Sequence, residues 1–373
     1  METIDLSLEE SMELVLKTLE ENVEKSDEQG ETSSQSLTII RSSSILGCLV
    51  PTHYGGLGKD VLFATRIIEK IANVDPSIAI IVYQHMSVIS RILEWGSEEQ
   101  KSKYLPKLAS GEWLAASAWS ERNAGANKQN LGTIGEYKKN GMWNINGSKT
   151  FTTGAGLADL YLVLVQTGDK ESDALYGNSG QSFFLIETSN HGVMANSKLN
   201  LSGMRGSSTG FIEMSDCLVP SNSLLGELGQ APHIISNIRE SGMSLGAVSV
   251  GIAERALLLA IKHIENRKLT EKEIMYFKVS ELSTLLEAAR ALVERAVTSD
   301  SILRGSLSYK SKIFASEVSE KICRECQQIM GGGGFMRGQT IERLTRDARA
   351  VSLMGPVNDL AKEIIGREML FDV

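Results

Sequence analysis

The chain has 373 residues, 42% of them hydrophobic and 23% charged, with a formal net charge of −8. This is the make-up of an ordinary globular protein, long enough to bury a large core in two or three subdomains of one unit. The negative balance argues against broad binding to nucleic acid or an anionic membrane, so any attraction for phosphates or an acidic carrier protein has to come from a local patch.

The start, Met1-Glu-Thr-Ile-Asp5, is acidic and lacks the apolar region of a signal peptide. No apolar run looks long enough to span a bilayer, and a cytoplasmic location is expected. Residues 1–118 read as a helical domain. Met12, Leu14, Val15 and Leu19 recur at helical spacing within Leu6–Lys25. Gln29–Ser36 reads as a polar loop, and Val50–Gly58 as a second loop leading into a helix near Val61–Asn73. Asp75-Pro76 predicts the start of another helix, with Asp75 as N-cap and Pro76 in its first position.

Residues 119–228 change character. The runs Trp143–Ile145, Tyr161–Val165, Phe183–Ile186 and Phe211–Met214 alternate or are β-branched, with the turn pairs Asn140-Gly141 and Asn146-Gly147 among them. They predict an antiparallel β-domain. Residues 229–373 return to helical patterning, with long stretches at Ser244–Asn266, Ile274–Ser299 and Lys310–Met330. Of the four cysteines, Cys323-x-x-Cys326 falls in the last of these with no second Cys or His pair nearby. It reads as core packing, and no metal and no disulfide framework are expected. Four consecutive glycines follow in Gln328-Ile-Met-Gly-Gly-Gly-Gly-Phe335, where a backbone without Cβ atoms can approach a ligand closely.

In order and spacing these blocks resemble the acyl-CoA dehydrogenase family over nearly the whole chain. Pro51-Thr-His-Tyr-Gly-Gly-Leu-Gly58, Gly96-Ser-Glu-Glu-Gln-Lys101 and Ser110-Gly-Glu112 match its N-terminal helices and turns. Gly203-Met-Arg-Gly-Ser-Ser-Thr-Gly210 and Val219-Pro220…Leu225-Gly226 match its middle strands, with Arg205 read as structural. The resemblance implies a mostly α protein with a central β-domain in three parts: an N-terminal helical domain, a middle antiparallel β-barrel and a C-terminal four-helix bundle.

It also implies FAD as cofactor. Ala118-Trp-Ser-Glu121…Ala124-Gly125 resembles the first flavin motif, so Trp119, Ser120, Ala124, Gly125 and Ala126 are implied flavin contacts, Ser120 keeping a hydroxyl for the ring. Ala126-Asn127 replaces the usual Ser-Asp, a departure that points to a changed substrate. Asn146-Gly-Ser-Lys-Thr-Phe-Thr-Thr153 resembles the second motif, with Phe151 for the aromatic beside the flavin, then Thr152, and Thr153 for the hydroxyl near N5. Arg267 is the implied pyrophosphate contact, although Lys268–Glu273 departs from the family's following segment. The turn Gln328, Ile329, Met330, Gly331, Gly332 is implied to complete the FAD site of a neighbouring subunit, hence a homodimer or homotetramer. Val357 and Asp359 align with further FAD contacts, Val357 without the usual hydroxyl.

The family's catalytic glutamate removes the substrate's α-proton, and an ungapped alignment from Gln328 to Arg367 puts Gly355 at that position. Glycine cannot act as a base in a step where general-base catalysis contributes about 10²–10⁴-fold. An alternative base position falls on Ser241, one residue from Glu240, and one residue is a rotation of about 100° on a helix. Three functions stay open: oxidation of a short thioester-linked acyl group at a C–O or C–N bond, an α,β-dehydrogenase with Glu240 as relocated base, and a reduced-flavin-dependent monooxygenase. The Met-Gly-Pro-x-Asn-Asp variant at Met354–Asp359 is similar to branches serving polyketide and nonribosomal pathways. These handle carrier-protein-bound hydroxymalonyl or aminomalonyl units, so the first reading is favoured. The substrate is carried on a carrier protein or CoA, and the electron acceptor is O2 or an electron-transfer flavoprotein.

Overall fold

The computed structural model describes residues 3–170, 176–196, 199–241 and 244–371. The N-terminal region is helical, with α1 (Thr3–Gln29), α2 (Ser34–Ser42), α3 (Val61–Val74), α4 (Pro76–Trp95) and α5 (Glu98–Ala109). α4 starts as its sequence dictates: the Asp75 carboxylate accepts from the N–H groups of Ser77 and Ile78, at 2.9 and 3.1 Å, with Pro76 in the first turn. Helix α2 begins inside the stretch read as a polar loop. Ser33 caps it by accepting from the Ser36 N–H, and Ile40 on its inner face is buried. The expectation that no apolar run reaches membrane-spanning length also needs correction. α4 is long and apolar enough, but 78% of its apolar window is buried inside the protein, as in a core helix.

The middle region carries β1 (Ala115–Ala118), β2 (Ile134–Lys138), β3 (Met142–Thr152), β4 (Leu160–Gln166), β5 (Gln181–Glu187), β6 (Val193–Asn196), β7 (Gly210–Pro220) and β8 (Leu224–Leu225). They form one sheet in the order β6-β7-β3-β2-β4-β5-β8, with β1 added on β4. Pairing is mostly antiparallel, while β1 and β2 run parallel to β4. Asn140-Gly141 closes the β2–β3 hairpin as the pattern predicts. Asn146-Gly147 instead lies within β3 at a register shift. A Cβ on Gly147 would sit 2.5 Å from the Cα of Thr133, so here glycine permits a close backbone approach rather than a turn.

The remaining helices are α6 (Ala231–Ser241), α7 (Gly246–Asn266), α8 (Glu273–Thr298), α9 (Ser301–Met330), α10 (Thr340–Leu353) and α11 (Asn358–Phe371). α9 packs against α7, α8 and α10, and α7 also packs against α3. One apolar core therefore runs from α1 through α4 into this bundle, while a second core around Trp143, Tyr161 and Phe184 lies within the β-domain.

Candidate active site

The two segments read as flavin motifs meet at the exits of β1 and β3. The Ser120 carbonyl accepts from the Thr150 N–H at 2.8 Å, joining one motif to the other. Beneath them lies an ion pair between Lys149, fully buried, and Glu121 at 2.6 Å. Glu121 also accepts from the backbone N–H groups of Gly132 at 2.5 Å and Thr133 at 3.1 Å. Burial pushes the Lys149 ammonium down to about 8 despite the pull of Glu121. Burial alone would raise the Glu121 carboxyl, but Lys149 and the backbone donors together hold it below its usual range.

Around this pair lie the other side chains of the two motifs. Phe151 holds φ at +52° and is 64% exposed, a left-handed conformation that costs a bulky residue about 1–3 kcal/mol. Thr152 pairs with Gly210 on β7 and is buried, and its Oγ1 has no hydrogen-bond partner among the described residues. Trp119 packs on Phe183 with ring centroids 5.0 Å apart, and its buried Nε1 likewise lacks a partner among them. The Thr153 hydroxyl accepts from Thr209 at 3.4 Å. Ala124 is buried, Gly125 has φ +71°, and Ala126 is exposed. An exposed aromatic held in a strained conformation, beside buried polar atoms that still lack partners, fits a flavin. Thr153 also lines a narrow crevice with Ile81 and Gln84 of α4, Ala116, Leu157 and Ala158.

The glycine-rich turn lies at the end of α9. Gln328 is exposed, Ile329 is buried and Met330 packs against the core. Gly331 has φ +64° and ψ −152°, a combination open essentially to glycine alone. A Cβ on Gly331, Gly332 or Gly333 would meet nothing within 4 Å among the described residues, so this turn opens outward from its own chain. Arg267 is exposed at the C-terminal end of α7.

Gly355 lies in the turn between α10 and α11, exposed, with nothing among the described residues within 4 Å of where its Cβ would be. Val357 packs with Tyr309 and Leu360, and Asp359 is exposed in the first turn of α11. Glu240 falls in α6, but its side chain lies outside the described residues. Sequence reasoning missed Lys312. This α9 lysine is buried, and its Nζ donates to the Pro356 carbonyl at 2.8 Å, to Asn358 Oδ1 at 2.7 Å and to the Ser352 carbonyl at 3.5 Å. Nothing local sets it apart from Lys310 two residues earlier; only the fold brings the turn over it. Cys323 and Cys326 are buried free thiols, both pushed up by burial, and no cluster of metal-ligating side chains occurs among the described residues.

Three family models match the chain in succession. They are the acyl-CoA dehydrogenase N-terminal domain over residues 3–112, its middle domain over residues 116–217 and its C-terminal domain over residues 232–370. An acyl-CoA dehydrogenase of Bacillus subtilis is 33% identical over 359 residues, covering 94% of this chain and 92% of that protein. The structure of butyryl-CoA dehydrogenase from Megasphaera elsdenii superposes with a TM-score of 0.91 at 28% identity, covering 99% of both chains. The prolyl acyl carrier protein oxidase AnaB shares the fold, with a TM-score of 0.87 at 22% identity over 98% of this chain and 99% of that one.

Proposed function

Since this chain belongs to the acyl-CoA dehydrogenase family, a family of FAD-dependent enzymes, we propose that it oxidises a short thioester-linked acyl group, carried on a carrier protein, at a C–O or C–N bond. The observation behind this reading is the α10–α11 turn, where Gly355 supplies no side chain at the aligned base position. Abstraction of an α-proton needs a positioned base. At a C–O or C–N bond the leaving proton sits on oxygen or nitrogen, and a water or weak base suffices. AnaB, a protein of the same fold, is named for a carrier-protein-bound prolyl substrate, which supports the reading.

FAD, when bound, supplies the two-electron acceptor. The residues proposed to hold it are the hydroxyls of Ser120 and Thr153 for the ring, and Phe151 and Trp119 beside it. Thr152 and the backbone of Ala124–Ala126 flank these, with Arg267 for the pyrophosphate, and Val357 and Asp359 at its edge. The outward-facing turn Gln328–Gly332 would serve the site of a neighbouring copy, so the active form is a homodimer or homotetramer, placed in the cytoplasm.

The test is anaerobic bleaching of the bound flavin by a panel of saturated acyl-CoAs and of hydroxyacyl- and aminoacyl-carrier proteins. Bleaching by the carrier-bound units alone is the expected result. Bleaching by a saturated acyl-CoA would instead establish a relocated base, and Glu240→Gln would then abolish it. A flavin untouched by every thioester, with turnover only from reduced flavin and O2, would mark a monooxygenase.

A further inference from the structure

We propose that Lys312 is a positioning residue for the reaction, its ammonium fastening the Gly355 turn to α9. The inference rests on the reading of that turn as part of the reaction site. Nζ reaches oxygens on both sides of the turn: the Ser352 carbonyl in the last turn of α10, the Pro356 carbonyl, and the side chain of Asn358, the first residue of α11. Asn358 in turn donates to Ser316 Oγ at 3.0 Å, one helical turn beyond Lys312, so the segment hangs from α9 at two points. A buried ammonium is costly unless its hydrogens are taken, and here three oxygens meet three hydrogens. The Ser352 carbonyl belongs to the unpaired C-terminal end of α10, where a cation is favoured.

The need for such a clamp follows from Gly355 itself. A carboxylate at this position could adjust its side chain to the substrate, whereas glycine offers only backbone. The position of the turn then decides what the substrate meets, and a misplacement of about 1 Å can cost about 10²-fold in rate. Among the described residues nothing lies within 4 Å of where a Gly355 Cβ would be, so the fastening comes from the α9 side.

The clamp is proton-dependent, because a neutral amine keeps only two hydrogens. Burial pushes Lys312 down to about 7, with Glu317 pulling it up. Of the neighbouring charged groups, Glu317 pairs with Lys362 of α11, and Glu320 is taken by Arg349 and Ser352 of α10. Asp359 of α11 acts on Lys362, while Tyr309 of α9 and Tyr176 from the segment before β5 are the nearby phenols. One of the three bonds is therefore lost as pH rises through about 7.

Hydrogen exchange of the FAD-loaded protein over residues 351–360, at about pH 6 and about pH 8.5 and corrected for intrinsic rates, reads this directly. Protection in the wild type should fall about tenfold at the higher pH, the equivalent of one hydrogen bond. Lys312→Met should leave the segment poorly protected at both. Asn358→Asp sets a carboxylate beside the ammonium and raises its pKa while giving up the donation to Ser316, so its protection should no longer fall between the two pH values. Lys312→Met should also slow flavin bleaching by the hydroxyacyl-carrier protein about 10–100-fold per bound flavin. Wild-type protection of the segment in Lys312→Met, or bleaching at the wild-type rate, overturns the proposal. A wild-type protein that binds no FAD, or that the hydroxyacyl probe does not bleach, defeats the functional reading instead and leaves the exchange data to judge the clamp.

Discussion

Lys149 and Glu121 show how a single buried pair can tie two distant motifs into one surface. Removing one partner strands a buried charge, which typically costs about 3–5 kcal/mol, whereas replacing both can be nearly neutral. Lys149→Met should therefore lower the urea midpoint sharply, and the double variant Lys149→Met/Glu121→Gln should recover part of the loss. Equal losses in the single and double variants would mean the pair is not what holds the motifs together. At the same scale, Phe151 shows strain placed where a ligand is expected. Its left-handed backbone is set by neighbours on both sides, since Thr150 donates to Ser120 and Thr152 pairs with Gly210.

At the scale of elements, glycines do two different jobs. Gly251 on α7 faces α3 so closely that a Cβ would lie 2.3 Å from the Glu69 carbonyl and 2.8 Å from the Ala72 Cβ. Gly251→Ala should push the helices apart and destabilise the fold by about 1–3 kcal/mol, seen as a lower melting temperature. Gly332 faces open space in its own chain, so Gly332→Ala should leave the apoprotein's melting temperature within the roughly 0.5 kcal/mol typical of surface changes. On the proposed arrangement it should nevertheless weaken FAD retention, a neighbouring subunit's flavin then meeting the added methyl. Unchanged FAD binding in Gly332→Ala would place the cofactor elsewhere. The helices themselves were legible from spacing and caps, as with Asp75-Pro76 before α4. α2 was not, because Ser33–Ser36 reads as a polar loop until Ser33 is seen as a cap.

At the scale of the whole molecule, α10 joins the three regions through charge. Arg346 reaches Asp27 of α1 at 2.6 Å and the Ser202 carbonyl at 2.8 Å, while Arg205 donates to the Asp27 carbonyl at 2.6 Å, a structural part as the sequence suggested. Asp347 accepts from the Met204 N–H at 2.5 Å and pairs with Arg343. Burial pushes the Asp347 carboxyl up to about 6 against the pull of Arg343 and the Met204 N–H. A raised carboxyl stabilises the fold most when protonated, so its contribution is full below about pH 4 and is lost as pH rises through about 6. Asp347→Asn should therefore gain stability relative to the wild type between those values, by roughly 1–3 kcal/mol, in denaturation curves taken across the range. A constant difference across the range would mean that Asp347 stays ionised throughout. The sequence by itself determined the family and the order of helical and β regions, and its resemblance to that family suggested the two flavin motifs and a glycine, Gly355, at the base position. The regions are read from local composition, capping and spacing, which act over a few residues, and the rest from resemblance to known sequences. Only the tertiary structure decided that Gly147 serves a close approach, that α4 is a core helix, that the glycine cradle opens outward, and that Lys312 sits beneath the Gly355 turn. Each depends on what the folded chain places beside a residue or leaves open next to it, and burial and hydrogen bonding then assign roles that neighbours in the chain do not reveal.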